Sequence, residues 1–421
     1  MTLVRRKEFI ILMKTYITGG VLIDCTGKDP IKNPSILVEG DRIVKIGTKG
    51  SLPMPSDAKL LDCGDGILLP GMIDSHLHAG TDSSRDEPLN VQLTQPDALR
   101  ALRARDSLFN DLKAGVTTIR LLGDGKGCID VVLRDAINRG DFQGPRLLAA
   151  AQAIRPTHGT AAEIGVCADG VEEVRKRVRE AIFMGADVIK LFISNISRGD
   201  TYLDYLKGDL TGVAAYTKEE IAVAVEEAHR SEIKVAAHCI GGPAVRWALE
   251  VGVDSLEHAN MIEDDDIQYF LKYGGFISDP NLILFFDPEH GFESDGNKTH
   301  KWNELPSWWH DKVHIAQERT RSVMAKALKQ GVKFALATDL NHGLLYLECK
   351  YFVEQVGATP MQALFAVTRD SAELLGLQDE IGTIEIGKCA DLICVKKNPL
   401  DNIENLKEVT MIMKQGVIIN N

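Results

Sequence analysis

Two histidines with one residue between them, His76 and His78, follow an apolar run in the segment LLPGMIDSHLHAG. Alternate side chains of a β-strand point to the same face, so both imidazoles can reach one metal ion if this segment is a strand. The other interpretation is a pair of polar histidines satisfied by ordinary hydrogen bonds. The pair by itself leaves both interpretations open.

A lysine, Lys190, lies inside the apolar stretch ADVIKLFIS. Removing water from a buried ammonium group lowers its pKa. A neutral lysine amine can add carbon dioxide and become a carbamate, which is an anionic ligand able to bridge two metal ions. The alternative is a lysine at a strand edge whose ammonium group reaches water.

Three further polar residues close short apolar runs: His238 in KVAAHCIG, His258 in SLEHAN and Asp339 in KFALATDLNHG. A lone histidine in such a place is more often structural than a metal ligand, and Asp339 can equally be the N-cap of a following helix. Cys239 stands beside His238 and points to the opposite face of the strand, which indicates a packed thiol rather than a nucleophile.

The middle of the chain, which must position these residues, alternates apolar strand-like runs with charged segments of helical period. The predicted strands are Leu68–His78, Val116–Leu122, Arg146–Ala153, Ala186–Ser194, Lys234–Cys239, Ser255–Ala259, Phe276–Pro280 and Lys333–Asp339. The predicted helices include Asp97–Lys113, Val171–Met184, Lys218–Arg230, Pro243–Val251 and Asp311–Lys329. Eight such units over roughly 300 residues predict an α/β fold, a (β/α)8 barrel of the TIM type. The competing doubly wound sheet would require a glycine-rich phosphate turn after its first strand, which this sequence lacks.

Both ends of the chain carry short strand patterns separated by glycine- and aspartate-containing turns. The predicted strands are Thr15–Thr18, Val21–Asp24, Ser35–Glu39 and Arg42–Thr48 near the start, and Gly382–Ile386, Ala390–Lys396, Val409–Lys414 and Gly416–Ile419 near the end. We therefore predict a small β-sandwich domain built from residues 1–69 and 377–421. The barrel domain between them would span residues 70–376.

The order of the candidate ligands follows the order of the predicted barrel strands. The two histidines of the H-x-H pair fall on strand one, Lys190 on strand four, His238 on five, His258 on six and Asp339 on eight. All lie at the strand ends where barrel enzymes carry their catalytic groups. Chance seldom produces this order, so together the residues predict a metal site.

With PGMIDSHLH at Pro70–His78 and GTIEIGKCADLIC at Gly382–Cys394, nearly the whole chain resembles the amidohydrolase superfamily. It is most similar to the binuclear subtype with a carboxylated lysine, in the imidazolonepropionase-related and prolidase-like branch. The resemblance implies two divalent metal ions. His76, His78 and Asp339 would hold one ion, His238 and His258 the other, and carboxylated Lys190 would bridge both together with a hydroxide.

The resemblance also implies a reaction. The hydroxide would attack an amide carbonyl, and Asp339 would accept its proton and pass it to the leaving amine. Zinc is the expected metal for a set of histidines and carboxylates, with manganese and cobalt as alternatives. Carbon dioxide would be needed to form the carbamate on Lys190.

Substrate contacts are expected in loops at the barrel mouth. His158, in the loop IRPTHGT after strand three, resembles the family's carbonyl- or carboxylate-binding histidine, and Arg155 is a candidate anion contact. Both can instead be loop residues without a ligand. Asn341 and His342 follow Asp339 and either line the pocket or cap the next helix.

One position departs from the pattern of dipeptide-cleaving relatives, which carry a tyrosine two residues after the strand-five histidine. This sequence has Ile240 there, which puts dipeptidase activity in doubt unless Tyr202, Tyr205 or Tyr216 replaces the missing hydroxyl. The segment Pro280–Asp311 carries three of the four tryptophans. It is interpreted either as a lid that recognises an apolar or aromatic substrate, or as an oligomer contact or satellite core.

Composition excludes several classes of protein. The 48 Lys+Arg and 60 Asp+Glu residues give a net charge of −12, which argues against nucleic acid as a partner. Apolar runs fall short of the roughly 20 residues that span a bilayer, and the basic start with its run Phe9–Met13 is too short for a signal peptide, so we interpret it as a short leader. Eight cysteines without a C-x-x-C pair indicate reduced thiols and a cytoplasmic location.

These observations predict a metal-dependent amidohydrolase that cleaves a C–N amide bond in a small molecule. The candidate substrates are an N-acyl amino acid, a dipeptide including the Xaa-Pro type, or a related amide, carbamate or urea. The alternatives are a one-metal cyclic amide hydrolase or deaminase of the imidazolonepropionase or cytosine deaminase type, and a non-catalytic scaffold. Lys190 distinguishes the first two, because the one-metal branches use no bridging lysine. The resemblance further suggests a homo-oligomer.

Overall fold

The computed structural model describes residues 13–87, 89–197, 207, 210–294 and 302–419. The N-terminal segment that we interpret as a leader lies outside the described residues, except for Met13 at its end. Tyr202 and Tyr205, two of the three candidate replacements for the missing tyrosine, also lie outside them. Within the described residues, the α-helices and strands form a (β/α)8 barrel and a β-rich domain made from both ends of the chain.

Parallel strands surround the centre of the barrel, and neighbours in the chain pair with each other. In order they are Met72–Leu77, Val116–Leu121, Arg146–Ala149 continued by Ala153–Arg155, Val188–Phe192, Lys234–Gly241, Ser255–Met261, Phe276–Ser278 and Lys333–Ala335. We call these the first to eighth barrel strands. A short additional strand, Gly165–Cys167, pairs with Ala153–Arg155.

The barrel closes where the chain beyond the eighth strand meets the first strand. Leu77 and Asp339 form a parallel bridge, in which the Asp339 amide donates to the His76 carbonyl and the His78 amide donates to the Asp339 carbonyl. Closure therefore places the candidate ligands from the two ends of the barrel domain side by side.

Helices follow most barrel strands and cover the outside of the barrel. In the described parts of the chain, the α-helices are Leu89–Leu93, Asp97–Lys113, Ile129–Arg139, Val171–Phe183, Lys218–His229, Pro243–Val251, Asp266–Tyr273, Leu282–Phe286, Ser307–Arg319, Ala325–Gln330, Leu345–Val356, Pro360–Ala366 and Arg369–Leu375. Short 3₁₀ turns lie at Trp302–Glu304 and Ile403–Lys407. The helix at Lys218 begins with a capping box, in which Thr217 and Glu220 satisfy each other's backbone amides. No helix among the described residues is long and apolar enough to cross a membrane.

Two predicted strands are divided in the structure. The prediction Leu68–His78 covers two strands, Ile67–Pro70 in the terminal domain and Met72–Leu77 in the barrel. Gly71 joins them, and a side chain there would collide with Thr117. The prediction Arg146–Ala153 is interrupted at Ala151, which has a φ of 61° and whose amide donates to the buried carboxylate of Asp130.

Two further predictions differ from the structure. The helix predicted over Asp311–Lys329 begins earlier, at Ser307, and widens into a π-helical turn at Thr320–Met324 before it continues to Gln330. The predicted strand Gly382–Ile386 is not a strand. This segment is held instead by single backbone hydrogen bonds, such as the one from the Ile384 amide to the Asp24 carbonyl, 3.0 Å.

The terminal domain consists of two sheets packed face to face. The four-stranded sheet has the order Arg42–Thr48, Pro34–Glu39, Lys14–Thr18, Ala58–Asp62, and the six-stranded sheet has the order Val417–Ile418, Val409–Lys414, Leu392–Val395, Ile67–Pro70, Val21–Leu22, Ile31–Lys32. Their shared core contains Ile17 and Ile36 from the first sheet and Leu68 and Leu392 from the second. The antiparallel pairing of Leu392–Val395 with Ile67–Pro70 joins the two ends of the chain in one sheet, as predicted.

Candidate metal centre

The side chains of His76, His78 and Asp339 converge at the carboxyl ends of the first and eighth strands. The His76 Nε2 atom lies 3.4 Å from His78 Nε2, and Asp339 Oδ1 lies 3.5 Å from His78 Nε2 and 3.9 Å from His76 Nε2. Ligand atoms at about 2.1 Å from a tetrahedral metal ion stand about 3.4 Å apart. The three atoms therefore fit one ion.

His238 and His258 lie directly beside this group. The ring centroids of His238 and His258 are 4.9 Å apart, and those of His76 and His258 are 5.3 Å apart. Burial lowers the pKa of His238 well below its usual range, which keeps its ring in the neutral form that binds metals. The structure thus brings four of the predicted histidines and Asp339 into one cluster.

Lys190 is fully buried on the fourth strand, and its Nζ atom has no hydrogen-bond partner among the described residues. The ring centroid of Phe192 lies 5.3 Å from Nζ. Burial lowers the pKa of the Lys190 ammonium group to about 8, against the opposing charges of Glu257 and Asp339. A buried amine without a partner is an unfavourable arrangement unless it is modified or binds a ligand. Lys190 is therefore a candidate for modification beside a group of histidines and carboxylates that could hold a metal ion.

Hydrogen bonds on the far side of the rings fix how the histidines present their nitrogens. The His78 Nδ1 atom donates to the carbonyl oxygen of Gly123, 2.5 Å away. A carbonyl only accepts, so this contact places the proton on Nδ1 and leaves Nε2 free for a metal ion. Burial also lowers the pKa of His78, in keeping with a neutral ring.

Two carboxylates that sequence reasoning missed lie behind His76. Its Nδ1 atom is 2.9 Å from Asp279 Oδ2 and 3.1 Å from Glu257 Oε2, and all three side chains are buried. Burial and the Lys190 charge act to lower the pKa of His76, but these carboxylates hold it at about 9. Their positions in the sequence could have marked both as site residues. Glu257 precedes the candidate ligand His258, and Asp279 follows the seventh strand in the same way as Asp339 follows the eighth.

Glu257 forms a buried ion pair with Arg120 in the barrel interior. Arg120 of the second strand donates to Glu257 Oε1 at 2.9 Å and to the carbonyl oxygen of Ser75 at 2.5 Å. Burial acts to raise the pKa of Glu257, yet the Arg120 guanidinium holds it well below its usual range. The barrel therefore contains a paired charge directly beneath the candidate metal centre.

Several residues around the centre adopt a left-handed backbone conformation that non-glycine residues seldom take. They are Asn195 (φ 68°), His258 (φ 75°), Ala259 (φ 54°), Asp279 (φ 47°), Asn281 (φ 56°) and Asp339 (φ 56°). Such residues cost about 1–3 kcal/mol each and concentrate at functional sites, where the surrounding structure holds them in place.

His158 and Arg155, the two predicted substrate contacts in the loop after strand three, differ from each other in their surroundings. His158 is exposed in the turn after Ala153–Arg155, and its carbonyl oxygen accepts a hydrogen bond from the Ser197 amide. The buried guanidinium of Arg155 donates to three carbonyl oxygens of its own loop, those of Pro156, Thr157 and Gly159. Arg155 therefore shapes the loop that carries His158, which differs from the anion contact that we predict.

Tyr216 and His342, two of the predicted substrate contacts, have hydrogen-bond partners within the protein. The Tyr216 hydroxyl is buried and donates to the Ala168 carbonyl oxygen at 2.8 Å. Both ring nitrogens of His342 are engaged, with Nδ1 at 2.7 Å from Asp111 Oδ2 and Nε2 at 2.9 Å from the Thr81 carbonyl oxygen. Both acceptors require a proton on the ring, so His342 is a structural imidazolium.

Asn341 is also committed to the loop after the eighth strand. Its Oδ1 atom accepts a hydrogen bond from the Ser83 hydroxyl at 2.6 Å, and its Nδ2 atom donates to the Thr338 carbonyl oxygen. The side chain is buried. Asn341 therefore helps to fix the loop that follows Asp339.

The aromatic segment after the seventh strand forms a satellite core in its described part. Trp309 is fully buried and packs in one cluster with Phe285, Phe292, Leu210 and Ile240. Ile240 lies two residues after His238 on the fifth strand, so this apolar cluster adjoins the candidate metal centre. The geometry favours the satellite-core interpretation over a mobile lid.

Comparisons with known proteins identify the family of the chain. The model of the amidohydrolase family matches residues 67–419. Ochratoxinase from Aspergillus niger is 29% identical over 441 residues, covering 96% of this chain and 86% of that protein. Imidazolonepropionase from Rhizobium rhizogenes is 23% identical over 409 residues, covering 90% and 91%. The crystal structure of a Xaa-Pro dipeptidase with methionine bound in its active site superposes with a TM-score of 0.81 and 27% identity, covering 97% of this chain and 100% of that one.

The chain therefore belongs to the amidohydrolase family, and the resemblance drawn from the sequence is confirmed. It is a hydrolase that acts on carbon–nitrogen bonds, and the barrel with its cluster of histidines and carboxylates is that of a metal-dependent amide hydrolase.

Proposed function

We propose that this protein uses two divalent metal ions, with zinc as the expected metal, to hydrolyse the amide bond of a small molecule. The observation that carries the proposal is the position of Lys190, buried and unpartnered among the described residues, next to the cluster of histidines and Asp339. Its neutral amine would add carbon dioxide and release a proton to give the carbamate. His76, His78 and Asp339 would hold one ion, and His238 and His258 the other.

Ions bound there would polarise the substrate carbonyl and lower the pKa of a water molecule. Asp339 would carry the proton from the water molecule to the leaving nitrogen. Its Oδ1 atom faces the histidines, and its Oδ2 atom accepts a hydrogen bond from Asn281 Nδ2 at 3.2 Å, which fixes the orientation of the carboxylate. As water adds to the carbonyl carbon, Asp339 takes its proton and delivers it to the nitrogen as the C–N bond breaks. Water is consumed, and the products are a carboxylic acid and an amine.

For the substrate we propose an N-acyl amino acid or related amide with an apolar or aromatic group. Ile240 replaces the tyrosine of dipeptide-cleaving relatives and packs against Phe285 and Trp309. The ring centroid of Phe192 lies 5.2 Å from that of His238. Phe192 therefore offers an apolar ring beside the metal centre, and the similarity to ochratoxinase and a Xaa-Pro dipeptidase supports the same choice of substrates. His158 is proposed to contact the substrate carbonyl or carboxylate from its exposed loop.

A one-metal cyclic amide hydrolase is the second candidate, and the similarity to imidazolonepropionase favours it. The two candidates differ in Lys190, which only the two-metal centre requires. From the sequence we also propose a cytoplasmic location and a homo-oligomeric state, without a nucleic acid or membrane partner.

The test is a hydrolysis screen across N-acyl amino acids, Xaa-Pro dipeptides and aryl carbamates, with metal analysis of the same samples. We expect two ions per chain and cleavage of amides that carry apolar groups. Lys190→Met should lose at least one ion, whereas Lys414→Met should keep both. Lys414 is a matched control because burial lowers its pKa to about 8 as well, but it lies in the terminal domain and donates to Gly144. One ion in the wild type and an unmodified Lys190 would favour the second candidate.

A further inference from the structure

The carboxylate of Asp279 lies between two histidines that are proposed to hold different metal ions. One oxygen, Oδ2, is 2.9 Å from His76 Nδ1 and 3.3 Å from His258 Nδ1. Asp279 is fully buried, and neither of its carboxylate oxygens has another hydrogen-bond partner among the described residues. The Nδ1 atoms of the two imidazoles are the donors that lie within reach of Oδ2.

The opposite side of the His76 ring faces the other candidate ligands. Its Nε2 atom lies 3.4 Å from His78 Nε2 and 3.9 Å from Asp339 Oδ1. A histidine that donates its Nδ1 proton to a carboxylate presents the Nε2 lone pair to a metal ion, and its ring cannot rotate freely. Asp279 Oδ2 is placed to do this for His76 and His258 together.

The neighbouring carboxylate, Glu257, is less suited to this role. Its Oε2 atom is 3.1 Å from His76 Nδ1, but its Oε1 atom is occupied by Arg120 at 2.9 Å and by the Ser255 hydroxyl at 2.5 Å. No contact of Glu257 with His258 occurs among the described ion pairs. Asp279 is thus the carboxylate that reaches both rings.

The backbone of Asp279 is built to hold this position. Its φ of 47° is in the left-handed region, and its amide donates to the Ala335 carbonyl of the eighth strand at 2.9 Å. Its own carbonyl oxygen lies 3.2 Å from His258 Nδ1. The seventh strand therefore ends in a strained residue whose side chain and backbone both face imidazole Nδ1 atoms.

We propose that Asp279 is a positioning residue shared by the two metal sites. Its carboxylate oxygen Oδ2 accepts the Nδ1 proton of His76 and shares the Nδ1 proton of His258 with the Asp279 carbonyl oxygen, so that both Nε2 atoms are aimed at the metal ions. The proposal rests on the two-metal function stated above. It makes the two sites interdependent, because loss of one carboxylate loosens a ligand of each.

The test measures Co²⁺ binding to the whole protein by chelator competition, in the wild type, Asp279→Asn and Asp130→Asn. We expect Asp279→Asn to weaken the binding of both ions by about 10–100-fold. Asp130→Asn is the matched control, since its buried carboxylate contacts the amides of Val131 and Ala151 and none of the histidines, and it should bind Co²⁺ as the wild type does. Circular dichroism verifies that each variant is folded.

Three other results would overturn the inference. Unchanged affinity in Asp279→Asn would show that the carboxylate does not orient the ligands, and loss of one ion with the other unchanged would make Asp279 a residue of one site. A wild type that binds fewer than two Co²⁺ ions would refute the proposed function itself, and the inference with it.

A second measurement applies if Asp279→Asn does not fold. The ¹⁵N-histidine NMR spectrum of the Zn²⁺-loaded wild type should show His76 and His258 with a proton on Nδ1 and a metal-bound Nε2. A proton on Nε2 of either ring would overturn the inference.

Discussion

At the scale of single residues, Asp339 presents its two carboxylate oxygens to different partners. Oδ1 lies 3.5 Å from His78 Nε2, and Oδ2 accepts the hydrogen bond from Asn281. An amide in place of the carboxylate keeps the shape but cannot accept a proton, so we expect Asp339→Asn to lower kcat by about 10²–10⁴-fold. Steady-state kinetics together with metal analysis of the same preparation checks this. Normal turnover by a variant that has kept both ions would refute Asp339 as the base.

The modification of Lys190 makes a separate prediction. Its amine must add carbon dioxide before it can bridge two ions, so recovery of activity should depend on dissolved carbon dioxide. We expect protein stripped of metal and carbamate to regain activity with zinc plus bicarbonate, and to regain much less with zinc in carbon dioxide-free buffer. Lys414→Met should behave as the wild type in both buffers. Equal recovery with and without bicarbonate would argue against the carbamate.

At the scale of elements, His342 ties the loop after the eighth strand to the helix Asp97–Lys113. Its ring bridges the Asp111 carboxylate and the Thr81 carbonyl, and the Gly343 amide donates to the same carboxylate at 2.7 Å. Burial acts to lower the pKa of His342, but Asp111 raises it to about 9 from the ordinary 6.5. The charged ring thus stabilises the fold fully below about pH 6.5, and this stabilisation is lost as the pH rises through about 9.

The rise of the His342 pKa from 6.5 to about 9 corresponds to about 3 kcal/mol of unfolding free energy. We expect His342→Gln to destabilise the metal-free protein strongly at pH 6 and much less at pH 9.5, as measured by urea unfolding. His229→Gln is the control, because His229 forms an exposed pair with Asp254 and should cost little at either pH. An equal loss of stability at both pH values would show that the charge of His342 contributes nothing.

The helices and strands also show how much of the fold could be predicted from the sequence. The helices Asp97–Lys113 and Pro243–Val251 are found with the predicted bounds because their apolar period is a local property. The break at Ala151 was not predicted, because it depends on a carboxylate from another helix, that of Asp130. The π-helical turn at Thr320–Met324 leaves no signal that we recognise in its own sequence.

In the candidate site, too, some residues could be proposed from the sequence and others could not. The candidate histidines and Asp339 could be proposed because they close apolar runs, and Lys190 because it lies inside one; closure of the barrel brings His76, His78 and Asp339 together. The partners of His342 and Tyr216 could not be predicted, because proximity along the chain to a ligand or loop does not reveal which hydrogen-bond partners the folded protein supplies. Asp279 was overlooked, since its role depends on two histidines from other strands.

At the scale of the whole molecule, the two ends of the chain meet in one domain that also contacts the barrel. Arg146 at the start of the third strand lies 2.5 Å from Asp391 of the C-terminal part, and both side chains are largely buried. Arg42 of the N-terminal part lies 2.5 Å from Glu380, and both of these side chains are exposed. The chain therefore offers two arginine–carboxylate pairs of the same length that differ in burial and that both join distant segments.

Burial decides how much each pair contributes. Removing one partner of a buried pair leaves an uncompensated charge and costs about 3–5 kcal/mol, whereas an exposed pair contributes about 0–1 kcal/mol because water and salt screen it. We therefore expect Arg146→Met to lower the free energy of unfolding several-fold more than Arg42→Met, with urea unfolding as the measurement. Adding salt should change the effect of Arg42→Met more than that of Arg146→Met. Equal effects of the two substitutions would mean that Asp391 finds enough compensation from its hydrogen bond with the Gln415 amide, and that the terminal domain does not depend on Arg146 to dock against the barrel.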